Sequence, residues 1–135
     1  MADLSALKPG IKGEASFCVT EANTAIAVGS GTVPVFASPM MVALMEAACV
    51  DCVERLLPPG HLSLGTELNI LHFAPTPVGL TVVATAELVS VVGRKLQFRL
   101  EARDEREVIG TGLHSRVIVD AARFNARLAA KNSPA

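Results

Sequence analysis

The sequence predicts an α+β fold in which one long apolar helix is covered by an antiparallel sheet. Three observations carry that prediction. The segment from Ser38 to Val53, SPMMVALMEAACVDCV, is apolar almost throughout and opens on a proline. After Pro58-Pro59-Gly60 the chain turns to β-branched residues and alternating patterns, enough for four or five consecutive strands. Half of the residues are hydrophobic and only 19% are charged, so a helix that is apolar nearly all round must be hidden, and a sheet of consecutive strands wraps it.

The elements follow in order. Glu14 to Val28 mixes Phe17, Val19, Ile26 and Val28 with Thr20 and Thr24, predicting one or two short strands around the turn-like Glu21-Ala22-Asn23. GSGTVP, ending at Pro34, is a flexible loop. Ser38 before Pro39 marks a helix start: the hydroxyl caps an orphan backbone N–H and the proline fills the first helical position. Met41, Leu44, Met45, Ala48, Cys52 and Leu56 recur at helical spacing until Pro58-Pro59-Gly60 stops the helix. Leu64, Thr66, Leu68, Ile70 and His72 then share one strand parity. Thr81 to Val92 is the next strand, and Leu96, Phe98 and Leu100 alternate with Gln97, Arg99 and Glu101 in the one after it. Gly93-Arg94 and Asp104-Glu105 are the turns of a meander. Val108 to Val119 is the last strand, and Ala121 to Lys131 a short helix with Arg123, Arg127 and Lys131 on one face.

Composition removes several classes of function. A chain of 135 residues fits one domain, 1–135, and its surplus of apolar surface points to a subunit interface. A net charge of −1 with basic residues scattered among acids leaves no footprint for nucleic acid. The start MADLSALKPG is not a signal peptide, and glycines and prolines break the longest uncharged run, so no membrane span is expected. Three cysteines, Cys18, Cys49 and Cys52, form no disulfide framework and suit a reducing compartment, the cytoplasm. The Cys49-x-x-Cys52 spacing falls mid-helix without a second pair, which favours core packing over a metal or redox site.

Glu46 is the residue that stands out. A carboxylate inside an apolar helix must reach water at an edge, find hydrogen-bond donors, or take up a proton, because desolvating an unpaired charge costs several kcal/mol. Each outcome suits a catalytic acid, and each also suits an acid neutralised at an interface. Ser38 lies about two turns earlier and points within roughly 80° of Glu46, so the two can border one cavity; the plainer role for Ser38 is a helix cap. His72 ends its strand on the parity of Leu68 and Ile70, as an acid–base group or a satisfied core histidine. His61 is a loop residue. His114, alternating with Arg116, is either a surface pair or part of a charge system reaching Glu46.

Longer stretches carry a resemblance. VFASPMMVALMEAACV, SLGTELNILHFAPTPVGLTVVATAEL, VVGRKLQFRLEARD and GTGLHSRVIVDAARFNARL, in this order, resemble the fluoroacetyl-CoA thioesterase type of hotdog-fold protein over roughly three quarters of the chain. The resemblance implies a long central helix wrapped by a curved antiparallel sheet, a homodimer, possible pairing of dimers into tetramers, and hydrolysis of acyl-CoA thioesters with neither metal nor organic cofactor. It carries the family's catalytic hydroxyl, a threonine there, to Ser38, its glutamate to Glu46 and its histidine to His72. Gly65 matches a glycine that shapes the site and Arg116 an arginine near it. Upstream the chain departs from the family, with GSGTVP and the single Phe36 in place of a longer, aromatic-rich lid, so Phe36 is the one aromatic left to border the substrate and the acyl group stays unspecified. The other functions that suit such a fold are a non-catalytic acyl-CoA or small-ligand binding dimer and an enoyl-CoA hydratase, which would need a different Asp/His arrangement.

Overall fold

The computed structural model describes residues 3 to 134. Five strands form one antiparallel sheet in the order β1-β3-β4-β5-β2: β1 Lys12–Cys18, β2 His61–His72, β3 Thr81–Val92, β4 Lys95–Arg103 and β5 Val108–Asp120. The sheet curls around α2, Ser38–Val53, which follows the one-turn helix α1, Ala25–Val28. The final helix, α3, spans Ala121–Lys131.

The core is the contact of α2 with the inner faces of β3 and β4. Met41, Met45, Ala48 and Cys52 of the helix meet Val82, Ala84, Ala86 and Leu88 of β3 and Leu96, Phe98, Leu100 and Ala102 of β4. Burying each large side chain in this set stabilises the fold by about 1.5–3 kcal/mol. Ala48, Ala84, Ala86 and Ala102 let the helix lie close to the strands. Cys49 and Cys52 belong to this packing, and burial pushes the Cys49 thiol up to about 12, which makes it inert at neutral pH.

Four local expectations are corrected. The second short strand near Ile26 is instead α1: Thr24 Oγ1 accepts from Ala27 N at 3.3 Å, and Gly29 at φ 78° ends the turn. Ser38 is not the helix cap. Ala37 takes the cap position, so Ser38 and Pro39 are the first two helical residues and the serine hydroxyl is released for other partners. The α-helix stops at Val53 and tightens into a 3₁₀ turn, Glu54–Leu56, ahead of the prolines.

The fourth correction matters most for the site. A bulge between Gly65 and Glu67 breaks the single parity expected for β2. Gly65 lies opposite Arg116 and Leu68 opposite His114, so residues three apart in the chain share the helix-facing side. Without the bulge, Gly65 and His72 would point to opposite faces of the sheet.

Candidate functional site

The structure sorts the expected site residues into two groups along α2. At the start of the helix, Ser38 Oγ lies 2.7 Å from His72 Nδ1. His72 reaches it from the end of β2, where Pro75 and Pro77 follow. Either the hydroxyl donates to a bare Nδ1 or Nδ1–H donates to the hydroxyl oxygen. In both arrangements Nε2 is buried with no hydrogen-bond partner among the described residues, and a buried polar atom left without a partner costs about 1–3 kcal/mol. Burial holds the imidazole below its ordinary pKa of 6.5, against a smaller opposing pull from the Ala74 backbone. It is therefore neutral at pH 7.

The second group surrounds Glu46. Its carboxylate sits at an edge, with the side chain 37% exposed, and its Oε2 lies 3.7 Å from Arg116 Nη1 and 3.8 Å from His114 Nε2. The acid thus resolves its awkward position by reaching water and lying beside a guanidinium. Arg116 is 6% exposed and firmly held. Its Nε donates to Ser63 Oγ at 2.8 Å and its Nη2 to the Ser63 carbonyl at 3.0 Å, while Nη1 is 3.2 Å from His114 Nε2. Ser63 is in turn bound to Glu54, through its backbone N–H at 3.0 Å and through its hydroxyl. The helix end therefore sets the direction of the arginine.

Gly65 completes this group. A Cβ at that position would stand 2.9 Å from Glu46 Oε2 and 3.0 Å from His114 Cε1, so the glycine gives the carboxylate its space. Phe36 lies two residues before Ser38 but is 1% exposed and packs edge-on against Phe17, with ring centroids 5.4 Å apart. His114, left open between two roles by the sequence, is buried and turned toward Glu46. Ser63 and Glu54 had no signal in the sequence beyond being polar neighbours of apolar runs.

Within one protomer the two groups do not merge. Eight helical residues separate Ser38 from Glu46, about 12 Å along the axis. The nearby surface grooves do not compete for the role. One of about 650 Å³ opens on the outer face of the sheet, lined by Thr85, Glu87, Arg99, Glu101 and Leu113, and its Arg99 and Glu87 neutralise each other at 3.4 Å.

Comparison with known proteins identifies the family. Residues 19–122 match a family described as fluoroacetyl-CoA-specific thioesterase. The fluoroacetyl-CoA thioesterase of Streptantibioticus cattleyicolor is 48% identical over 97 residues, 72% of this chain and 70% of that one. A solved threonine-to-serine variant of a fluoroacetyl-CoA thioesterase, in complex with acetyl-CoA, superposes with a TM-score of 0.86 at 39% identity, covering 94% of this chain and all of the other. A Thermus thermophilus protein described as a thioesterase superfamily member superposes with a TM-score of 0.84 at 26% identity over 90% of each chain.

Proposed function

The chain belongs to the fluoroacetyl-CoA-specific thioesterase family and is a hotdog-fold thioester hydrolase, and we propose that it cleaves an acyl-CoA thioester with Glu46 as the reacting carboxylate. The observation that carries this assignment is the placement of Glu46. It is an acid on an apolar helix, open to solvent on one side, beside a clamped arginine and a glycine that clears its approach.

Thioester hydrolysis requires attack on the carbonyl carbon, stabilisation of the oxyanion, and a thiolate that leaves and is protonated. Glu46 supplies the attack, either by adding its own oxygen to the carbonyl, expelling the thiolate and leaving an anhydride that water then cleaves to free acid and free Glu46, or by taking a proton from the water that adds. Arg116 places a fixed positive charge 3.7 Å from the carboxylate. Ser38 orients the substrate, and His72, neutral at pH 7 with Nε2 unpaired, handles the proton.

A second copy of the chain completes the site. β2 is an edge strand of 12 residues, and Leu71 and Phe73 at its end are 63% and 59% exposed. A long apolar edge of this kind pairs with another strand. Antiparallel pairing about a two-fold axis sets the His72 end of one β2 beside the Gly65 end of the other. Ser38 and His72 of one protomer then face Glu46 of its partner, which closes the separation along the helix. The dimer works in the reducing cytoplasm, as its three free cysteines suit. Among the described residues no helix is long and apolar enough to cross a membrane.

Thiol release from a panel of short, branched, aromatic and halogenated acyl-CoAs tests the assignment. Glu46→Gln keeps the shape and removes the basicity, so kcat should fall by about 10³ with the dimer intact. Turnover near wild type would sink the role of Glu46. Binding of acyl-CoA without thiol release would mark a binding protein, and loss of enoyl absorbance a hydratase. Label found in Glu46 after single turnover in ¹⁸O water would establish direct attack, since only an anhydride opened at the Glu46 carbonyl carries label into the side chain.

A further inference from the structure

We propose that His114 is a positioning residue that holds Arg116 just outside hydrogen-bonding range of Glu46, so that the guanidinium stays beside the carboxylate while the carboxylate's lone pairs stay free to react. The inference rests on the reading of Glu46 as the reacting group.

Geometry alone fixes the state of His114. Its Nδ1 lies 2.7 Å from the carbonyl oxygen of Glu67, which can only accept, so Nδ1 carries a proton. Its Nε2 lies 3.2 Å from Arg116 Nη1, which can only donate, so Nε2 is bare and accepts. The imidazole is neutral, with its tautomer set by a backbone group from β2 and its lone pair spent on the arginine. Burial, with Arg116 next to it, keeps it in that state.

The consequence falls on the arginine. Ser63 takes the Nε and Nη2 donors, and His114 takes one Nη1 proton. Nη1 then stands 3.7 Å from Glu46 Oε2, about 1 Å beyond a charge-assisted hydrogen bond. At that separation the guanidinium lies beside the carboxylate without Nη1–H bonding to its lone pairs. With the acceptor of His114 removed, Nη1 is free to swing onto Glu46 and form a closed ion pair. The carboxylate would then be a weaker nucleophile and base, since the pair must open for reaction.

The test compares His114→Gln, which retains an acceptor of similar reach, with His114→Met, which matches it in length and lacks one. Both are assayed by thiol release on the best acyl-CoA, in the wild-type and Arg116→Met backgrounds, with melting curves to confirm folding. His114→Met should lower kcat about 10- to 100-fold with KM within about twofold, and His114→Gln should recover most of it. In the Arg116→Met background the two should be equal, because the effect travels through the arginine. Equal kcat for Gln and Met with Arg116 present, or a Met deficit that persists without Arg116, would overturn the proposal and mark His114 as packing only. Wild-type protein that releases no thiol from any acyl-CoA, or that tolerates Glu46→Gln, would instead remove the reading beneath it.

Discussion

Two glycines face the long helix from opposite flanks of the sheet, and they serve different ends. Gly13 on β1 has no room for a side chain because the helix backbone fills it: a Cβ would collide with the Ala48 carbonyl oxygen and the Cys52 amide. Gly65 on β2 is also crowded, but by the side chains of Glu46 and His114. Ala48 is about 200° round the helix from Glu46, so the two glycines address opposite faces of α2. One flank is closed by backbone contact and anchors the helix. The other stands off by the length of a side chain, and there the acid, the arginine and His114 collect, with His72 farther along β2. A helix apolar nearly all round can therefore be half scaffold and half site.

Substitutions at the two glycines should separate these roles. The largest effect is expected from Gly13→Ala, which forces the helix away from β1 and should cost about 3 kcal/mol of stability, read as a lowered denaturation midpoint with activity lost in parallel. Gly65→Ala displaces a flexible carboxylate instead, so stability should change by less than about 1 kcal/mol while kcat drops by about 100-fold. The opposite ranking in melting and kinetic assays would break the contrast between anchor and site.

Ser38→Ala should have a smaller effect. Because Ala37 and not Ser38 caps α2, loss of the hydroxyl should leave the melting temperature nearly unchanged, while kcat falls by about tenfold as His72 loses its partner. A clear loss of stability without loss of turnover would return Ser38 to a structural role.

The smallest effect is in pH dependence, and it belongs to the open flank. His72 and His114 are both held below 6.5, chiefly by burial, so the folded chain binds fewer protons than the unfolded chain just below that pH. Their contribution to stability is complete above about 6.5 and declines as the pH falls toward their folded values. Melting temperature should therefore fall from pH 7 to pH 5, with amide exchange accelerating in β2 and β5 before β1. A flat profile, or one that starts in β1, would show that these imidazoles stay solvated.

Local patterns in the chain determined much of this. The helix over 38–53 with its single acid, the alternation of β4, the strand 81–92, the turn at Gly93 and the terminal helix over 121–131 all follow from periodicity and from where glycine and proline interrupt it. Glu46 was conspicuous because an acid in an apolar run is costly wherever the run ends up, and likeness to a family then joined it to Ser38, His72, Gly65 and Arg116. Tertiary structure alone decided how these residues meet. The bulge after Gly65 turns Gly65 and His72 to the same face, and no local signal marks it because a bulge is set by the partner strand. The release of Ser38 from capping, the clamp of Arg116 by Ser63 and His114, and the gap to Glu46 are contacts between residues up to 70 positions apart. Periodicity reports which face of an element is buried, but the pairing of two faces is set only when the sheet closes around the helix.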